Sequence, residues 1–207
     1  MASGVREYVS RGGEKLNAAL DAFGVRCAGL TCADFGCNVG GFTDCLLRHG
    51  ARRVYAVDTG YGQLAWKLRT DKRVEVMERT NALYADVPGA MDLVVIDMAW
   101  TPQRLSVPAA MRWLAGGGQV VSLLKPHYER TKLPGRPAGG RTRAGTLSDE
   151  EAADVHRRVC DELADLGWAP EASITSPIRG KGGNLEFFLR LRKGVAERII
   201  RTDSLSP

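Results

Sequence analysis

Short apolar runs alternate with amphipathic stretches along most of the chain. Leu16, Ala19, Leu20 and Phe23 recur at helical spacing, which predicts a helix over about 12–23 with one buried face. Strands are expected at 32–36, 53–58, 73–78, 91–98 and 119–124, each an apolar run too short for a buried helix. Between them the pattern predicts helices at 41–49, near 62–69 and at 103–114. Residues 127–147 are rich in Gly, Pro and Arg without apolar periodicity and read as a loop. A long helix is expected over 149–166, with Ser148 as its N-cap and Gly167 as its stop. Strands at 173–178 and 185–191 close the chain. Short apolar strands alternating with helices imply a mostly parallel sheet covered on both faces.

Composition narrows the class. The 207 residues are 44% hydrophobic and 26% charged, which excludes a disordered or fibrous chain and fits one compact domain with small appendages. No apolar run reaches the roughly 18 residues that span a bilayer, and the N-terminus has no apolar signal region, so the expected location is the cytoplasm. Lys and Arg number 29 against 24 Asp and Glu, a formal charge of +5. The placement says more than the total. Arg130, Lys132, Arg136, Arg141 and Arg143 lie together without an intervening acid, and the stretch 48–73 holds seven basic residues and two acidic ones. Such clusters suit a polyanionic partner, nucleic acid above all, or simply a solvated face. Five cysteines, an odd number with no C-x-x-C pair, argue for free thiols rather than a disulfide framework or a metal site.

The turn Asp34-Phe-Gly-Cys-Asn-Val-Gly-Gly41 follows the first predicted strand and opens a helix. Ligands bind at the carboxyl edge of such sheets, and glycines there admit a ligand close to the backbone. Asp58 ends the second strand, 22 residues after Gly36, where a carboxylate can grip ribose hydroxyls. A dinucleotide would call for G-x-G-x-x-G. Here the spacing is G-x-x-x-G-G and an acid opens the turn, which suits a cationic cofactor such as S-adenosylmethionine. A dinucleotide or a purely structural loop is the alternative.

Four charged residues stand where burial demands a partner or a task. Asp97 ends the run LVVIDM, Lys125 follows the fifth strand in LLKPHYE, Glu186 interrupts NLEFFLRL, and Lys15 lies just after RGG in the first helix. A carboxylate in so apolar a strand calls for a lysine.

The segments YVSRGGEKL, ADFGCNVGGFTDCLLRHGA, YAVDTGYGQLAWKLRTDKRV, ERTN, VIDM, LLKPHYE and GGNLEFF run in order through the chain. Together they resemble the FtsJ-like 2′-O-methyltransferases, most closely the TlyA (haemolysin A) branch that acts on rRNA, over about residues 7–192. The resemblance implies an α/β, Rossmann-like class I methyltransferase fold, with a mostly parallel seven-stranded sheet and helices on both faces. It divides the chain into an N-terminal helical extension (1–30), a methyltransferase domain (31–193) and a basic C-terminal tail (194–207). It assigns Lys15, Asp97, Lys125 and Glu186 as the catalytic set. The cofactor residues it implies are Asp34, Gly36, Cys37, Asn38, Gly40, Gly41, Phe42, Asp58, Thr59, Thr80, Asn81 and Asp97. Arg11, Lys132, Arg136, Arg141 and Arg143 are the expected substrate contacts.

Three departures from that family stand out. The S4-type RNA-binding domain of TlyA proteins precedes the point where this chain starts. Met98-Ala-Trp-Thr-Pro102 replaces a V-S-F-I-S-like segment. Cys37 and Asn38 occupy turn positions that are usually small. The implied activity is 2′-O-methylation of an RNA ribose by S-adenosylmethionine, with Lys125 accepting the proton and no metal. A small hydroxylated acceptor such as a nucleoside is the alternative substrate, and a non-catalytic RNA-binding factor the alternative class. RNA, including the ribosomal subunit, is the expected partner.

Overall fold

In the computed structural model, residues 8–132 and 146–193 are described. The apolar runs become seven strands: β1 (Thr31–Phe35), β2 (Arg53–Val57), β3 (Val74–Met77), β4 (Met91–Ile96), β5 (Leu114–Leu124), β6 (Ala172–Thr175) and β7 (Phe187–Arg192). They form one sheet in the order β3-β2-β1-β4-β5-β7-β6. β1 to β5 are mutually parallel, whereas β7 inserts antiparallel between β5 and β6. Because the order reverses at β1, a crevice opens between the ends of β1 and β4.

Both faces of the sheet are covered. Helices α1 (Arg11–Phe23), α2 (Gly41–Arg48) and α3 (Trp66–Arg69) lie on one side. There Leu16, Leu20, Phe42, Leu46 and Leu68 share a core with Cys32, Leu93, Val95, Val121, Leu123 and Phe188 of the strands. On the other side lie α4 (Gln103–Trp113) and α6 (Asp149–Asp165), whose Val107, Met111, Val155, Val159 and Leu163 pack on Phe35, Val94, Val120 and Leu189. Trp113 meets Phe35 edge to face, with centroids 4.9 Å apart. Strand alternation thus sends Cys32, Leu93 and Leu123 to the α1 face and Phe35, Val94 and Val120 to the other.

The caps match the sequence. Ser148 and Glu151 form a capping box at α6, and the backbone of Gly167, at φ +82°, turns back to Ala164. Five elements depart from expectation. Helix α3 is a single turn rather than the whole of 62–69. β5 begins at Leu114, not near 119, because the glycines that interrupt the apolar pattern are held as strand by exchange between Gly117, Gly118 and Lys193. The final strands span 172–175 and 187–192, shifted from the expected positions. Finally, a one-turn helix α5 (Pro126–Glu129), with Pro126 at its first position, takes up the start of the loop expected over 127–147.

Candidate active site

Two adjoining cavities open at the carboxyl edge of the sheet, of about 230 and 430 Å³, and both are lined by Gly36, Asn38 and Asp97. The turn after β1 shapes them. Gly36 has φ +84°, and a Cβ there would stand 2.6 Å from the Asp97 carbonyl oxygen, so the crossing of the two strand ends requires glycine. Its amide and that of Cys37 donate to the Val57 carbonyl at 2.8 and 3.2 Å, closing the turn onto β2. Asn38 is also left-handed, with φ 48°. Gly40 caps α2 and packs behind the wall against Leu64 and Leu68 rather than lining either cavity. Gly41 lies against Ser10, which seats the start of α1 over the start of α2.

The smaller cavity is walled by Arg11, Lys15, Asp34, Cys37, Gly41 and Phe42, among others. Asp34 is fully buried; the Thr43 hydroxyl donates to its Oδ2 at 2.7 Å, and its Oδ1 has no hydrogen-bond partner among the described residues. Burial pushes its carboxyl up to about 7, and the Asp97 and Asp58 charges add to this. The larger cavity holds Asp58, Thr59, Thr80 and Asn81. Asp58 accepts from the Asn38 amide at 2.9 Å and the Gly60 amide at 2.7 Å, so the carboxylate itself fixes the turn. Just outside, Glu78 is held by the Arg69 guanidinium and the Gly62 amide.

Strand parity puts three of the charged quartet, and Asp34 with them, on one face. Asp34 continues the face of Cys32, Asp97 that of Val95, Lys125 that of Leu123, and Glu186 that of Phe188. That is the face α1 covers, and Lys15 sits beside the buried Leu16 of α1. Two ion pairs result. Lys15 bonds Glu186 at 2.5 Å, with both side chains nearly buried, and Lys125 pairs with Asp97. Lys15 and Asp97 line the cavities, while Lys125 and Glu186 stand behind them as partners. Removing one member of a buried pair leaves an uncompensated charge, a cost of about 3–5 kcal/mol.

Three neighbours escaped the sequence reading, and a fourth, Trp100, was legible only as part of the departing segment 98–102. Thr43 carries no signal apart from its place two residues into α2. His127 is buried, its Nδ1 has no hydrogen-bond partner among the described residues, and burial with the charges of Lys125 and Lys15 holds its imidazole below the usual value. Trp100 projects into solvent at the rim of the larger cavity, 77% exposed, and its ring rests on Tyr128 at 5.1 Å. Glu129 is buried behind it, although a carboxylate in an expected loop reads as solvated.

Of the expected substrate contacts, Arg11 lines the smaller cavity and Lys132 donates to the Trp100 carbonyl instead of facing open solvent. Arg136, Arg141 and Arg143 lie outside the described residues, as do residues 194–207 of the expected tail. Five of the seven basic residues in the run 48–73 are paired, four of them with acids outside it: Arg53 with Glu75, Arg69 with Glu78, Arg48 and Lys67 with Asp44, and, within the run, Arg73 with Asp71. All five cysteines are free, and burial pushes the Cys27 thiol up to about 11. Among the described residues, no helix is long and apolar enough to cross a membrane.

An unpartnered, buried carboxylate oxygen, a glycine cradle and a carboxylate at the end of β2 together fit a cationic nucleoside cofactor better than a pyrophosphate. Comparison with known proteins agrees. The model of the FtsJ-like methyltransferases matches residues 8–193. The chain is 39% identical, over 98% of its length and 78% of the relative's, to the 16S/23S rRNA (cytidine-2′-O)-methyltransferase TlyA of Mycobacterium tuberculosis. It superposes on the crystal structure of a "putative hemolysin" from Lactococcus lactis with a TM-score of 0.81 and 37% identity, covering 91% of this chain and 90% of that one. The N-methyltransferase NodS of Bradyrhizobium japonicum, at 17% identity, shares the fold with a TM-score of 0.59, covering 89% of this chain and 94% of NodS. The sheet order, the switch-point crevice and these matches agree: the chain belongs to the FtsJ-like methyltransferase family and has the Rossmann-like class I methyltransferase fold.

Proposed function

We propose that this protein transfers a methyl group from S-adenosylmethionine to the 2′-hydroxyl of an RNA ribose, with ribosomal RNA as the substrate. The observation that carries this reading is the pairing of Lys15 with Glu186 and Lys125 with Asp97 on one face of the sheet, beside the cavity that Asp34 walls. TlyA, by its name, modifies a cytidine ribose of rRNA. The catalytic unit takes in residues 31–193, with Lys15 supplied by the helical segment ahead of it.

The cofactor supplies an electrophilic methyl on a sulfonium. Asp34 faces its positive charge, Asp58 takes the ribose hydroxyls, and Gly36, Cys37, Asn38, Gly41, Phe42, Thr59, Thr80 and Asn81 form the walls, with Gly40 shaping the turn behind them. A ribose hydroxyl is a weak nucleophile because it holds its proton at pH 7, so the chain must place it in line and receive the proton. Lys125 accepts that proton after giving up its own to solvent, and Asp97, which lines both cavities, orients its amine. Glu186 fixes Lys15, which lines the cavity and directs the acceptor hydroxyl. Trp100, backed by Tyr128 and then His127, offers an exposed stacking surface that suits an unpaired nucleobase. Arg11, Arg136, Arg141 and Arg143 contact the RNA backbone, and Lys132 holds the Trp100 carbonyl.

The test is incubation with methyl-labelled S-adenosylmethionine and 16S or 23S rRNA, free and in ribosomal subunits, followed by nucleoside digestion. Label in a 2′-O-methylated nucleoside is expected. Label on a base, or only on added free nucleosides, refutes the proposal. Lys125→Met is expected to lower transfer about a hundredfold or more, the scale of a lost proton acceptor, while cofactor affinity stays within a few fold.

A further inference from the structure

Behind the acceptor side of the crevice lies a buried polar cluster outside the charged quartet. Gln103, Ser122 and Glu129 are all buried, yet they come from three different elements. The Gln103 amide donates to Glu129 Oε1 at 2.8 Å, the Ser122 hydroxyl donates to Gln103 Oε1 at 2.7 Å, and Gln103 Nε2 donates to the Leu123 carbonyl at 3.3 Å. Gln103 opens α4 directly after the segment 98–102, four of whose residues line the larger cavity. Ser122 lies on β5 beside Ile96, the residue before Asp97, and three residues before Lys125. Glu129 ends α5, whose first residue follows Lys125. Beyond it, Lys132 donates to the Trp100 carbonyl. The segment is thus tied at three points: the Asp97 amide to Phe35 at its start, Lys132 in its middle and Glu129 at its end.

We propose that Glu129 is a positioning residue: with Gln103 and Ser122 it holds the 98–102 wall, and Trp100 with it, in register with the turn that carries Lys125. This rests on the methyl-transfer reading above and extends it to how the acceptor side is held. α4 needs an acceptor at its buried start, because an unmet amide there costs free energy. Burial pushes the Glu129 carboxyl up to about 7, with the Gln103 amide, Lys132 and Arg104 opposing and Glu162 adding. Either protonation state keeps an oxygen that accepts from Gln103, so the brace needs the acceptor and not the charge.

The experiment compares Glu129→Ala with Glu129→Gln, which keeps the acceptor, in the full chain below its melting temperature. Amide exchange at residues 98–103 and kcat/KM for the RNA are measured together. In Glu129→Ala, exchange of the Gln103 amide is expected to quicken roughly tenfold and kcat/KM to fall by a similar factor, the scale of one lost buried hydrogen bond. Glu129→Gln is expected to restore both to within about twofold. A purely structural role lowers the melting temperature without moving exchange or kcat/KM at lower temperature, and that outcome overturns the proposal. So does Glu129→Gln behaving like Glu129→Ala. Should Glu129→Ala not fold, Ser122→Ala tests the same brace: roughly threefold effects in the same direction support it, and parent-like values overturn it. If the parent fails to methylate RNA, the methyl-transfer reading falls on that result, while the exchange data still decide the brace.

Discussion

Replacing Asp34 by Asn is expected to stabilise the ligand-free protein and weaken the cofactor in one step. Burial lifts the carboxyl from 3.8 to about 7. That displacement corresponds to roughly 4 kcal/mol for ionising Asp34 inside the folded chain. The sign follows from the raised folded value. The cost is absent below the unfolded value near 3.8, accumulates as pH rises toward 7, and is fully present above it. An asparagine side chain cannot ionise and still accepts from the Thr43 hydroxyl, which now lies 2.7 Å from Oδ2. Its amide group takes the place of Oδ1 and finds no partner, which returns roughly 1–3 kcal/mol of the gain. A net gain of about 1–3 kcal/mol at pH 8 remains, or roughly 2–10 °C in melting temperature for a chain of this size. Near pH 5 the two proteins should melt alike. Calorimetric titration with S-adenosylmethionine should show at least tenfold weaker binding by the Asp34→Asn variant at pH 8, because the opposing charge is gone. For the parent, affinity should fall as pH drops below 7, since a proton must leave Asp34 on binding. A lower melting temperature for the variant at both pH values, or unchanged cofactor affinity, would refute the reasoning.

Gly36→Ala should abolish measurable cofactor binding and cost about 2 kcal/mol or more in denaturant unfolding, because the added methyl meets the Asp97 carbonyl at 2.6 Å from a left-handed backbone. Asp58→Ala should weaken the cofactor by roughly 1–3 kcal/mol in the same titration, through both the ribose hydroxyls and the freed Asn38 and Gly60 amides. Replacing Arg136, Arg141 and Arg143 together by Ala should leave cofactor affinity unchanged and flatten the salt dependence of RNA binding, by roughly 0.7–0.9 in log–log slope per lost phosphate contact. An unchanged slope removes those arginines from the RNA interface.

The order of strands and helices was legible because burial on both faces writes short apolar runs, and the caps Ser148 and Gly167 are local chemistry. The glycine turn with Asp34 and Asp58 was legible for the same reason: it needs particular residue types at fixed spacing after a strand. Sequence also showed that Glu186 needs a cationic partner, since a charge in an apolar strand is costly alone. Only the tertiary structure decided that the partner is Lys15, 171 residues away, because side-chain parity on four strands and the seating of α1 bring them together. The same holds where local pattern misled. The run 48–73 reads as a basic surface, but Asp44, Glu75 and Glu78 reach it from other elements and cancel most of it. Glu129 reads as a loop residue and Gln103 as the start of a helix, and the burial of both appears only when α4, β5 and α5 meet. Spacing along the chain determines which elements form and which residues stand at their ends. Pairing across elements depends on the sheet order and on which face each end residue shares, and no local window contains that information.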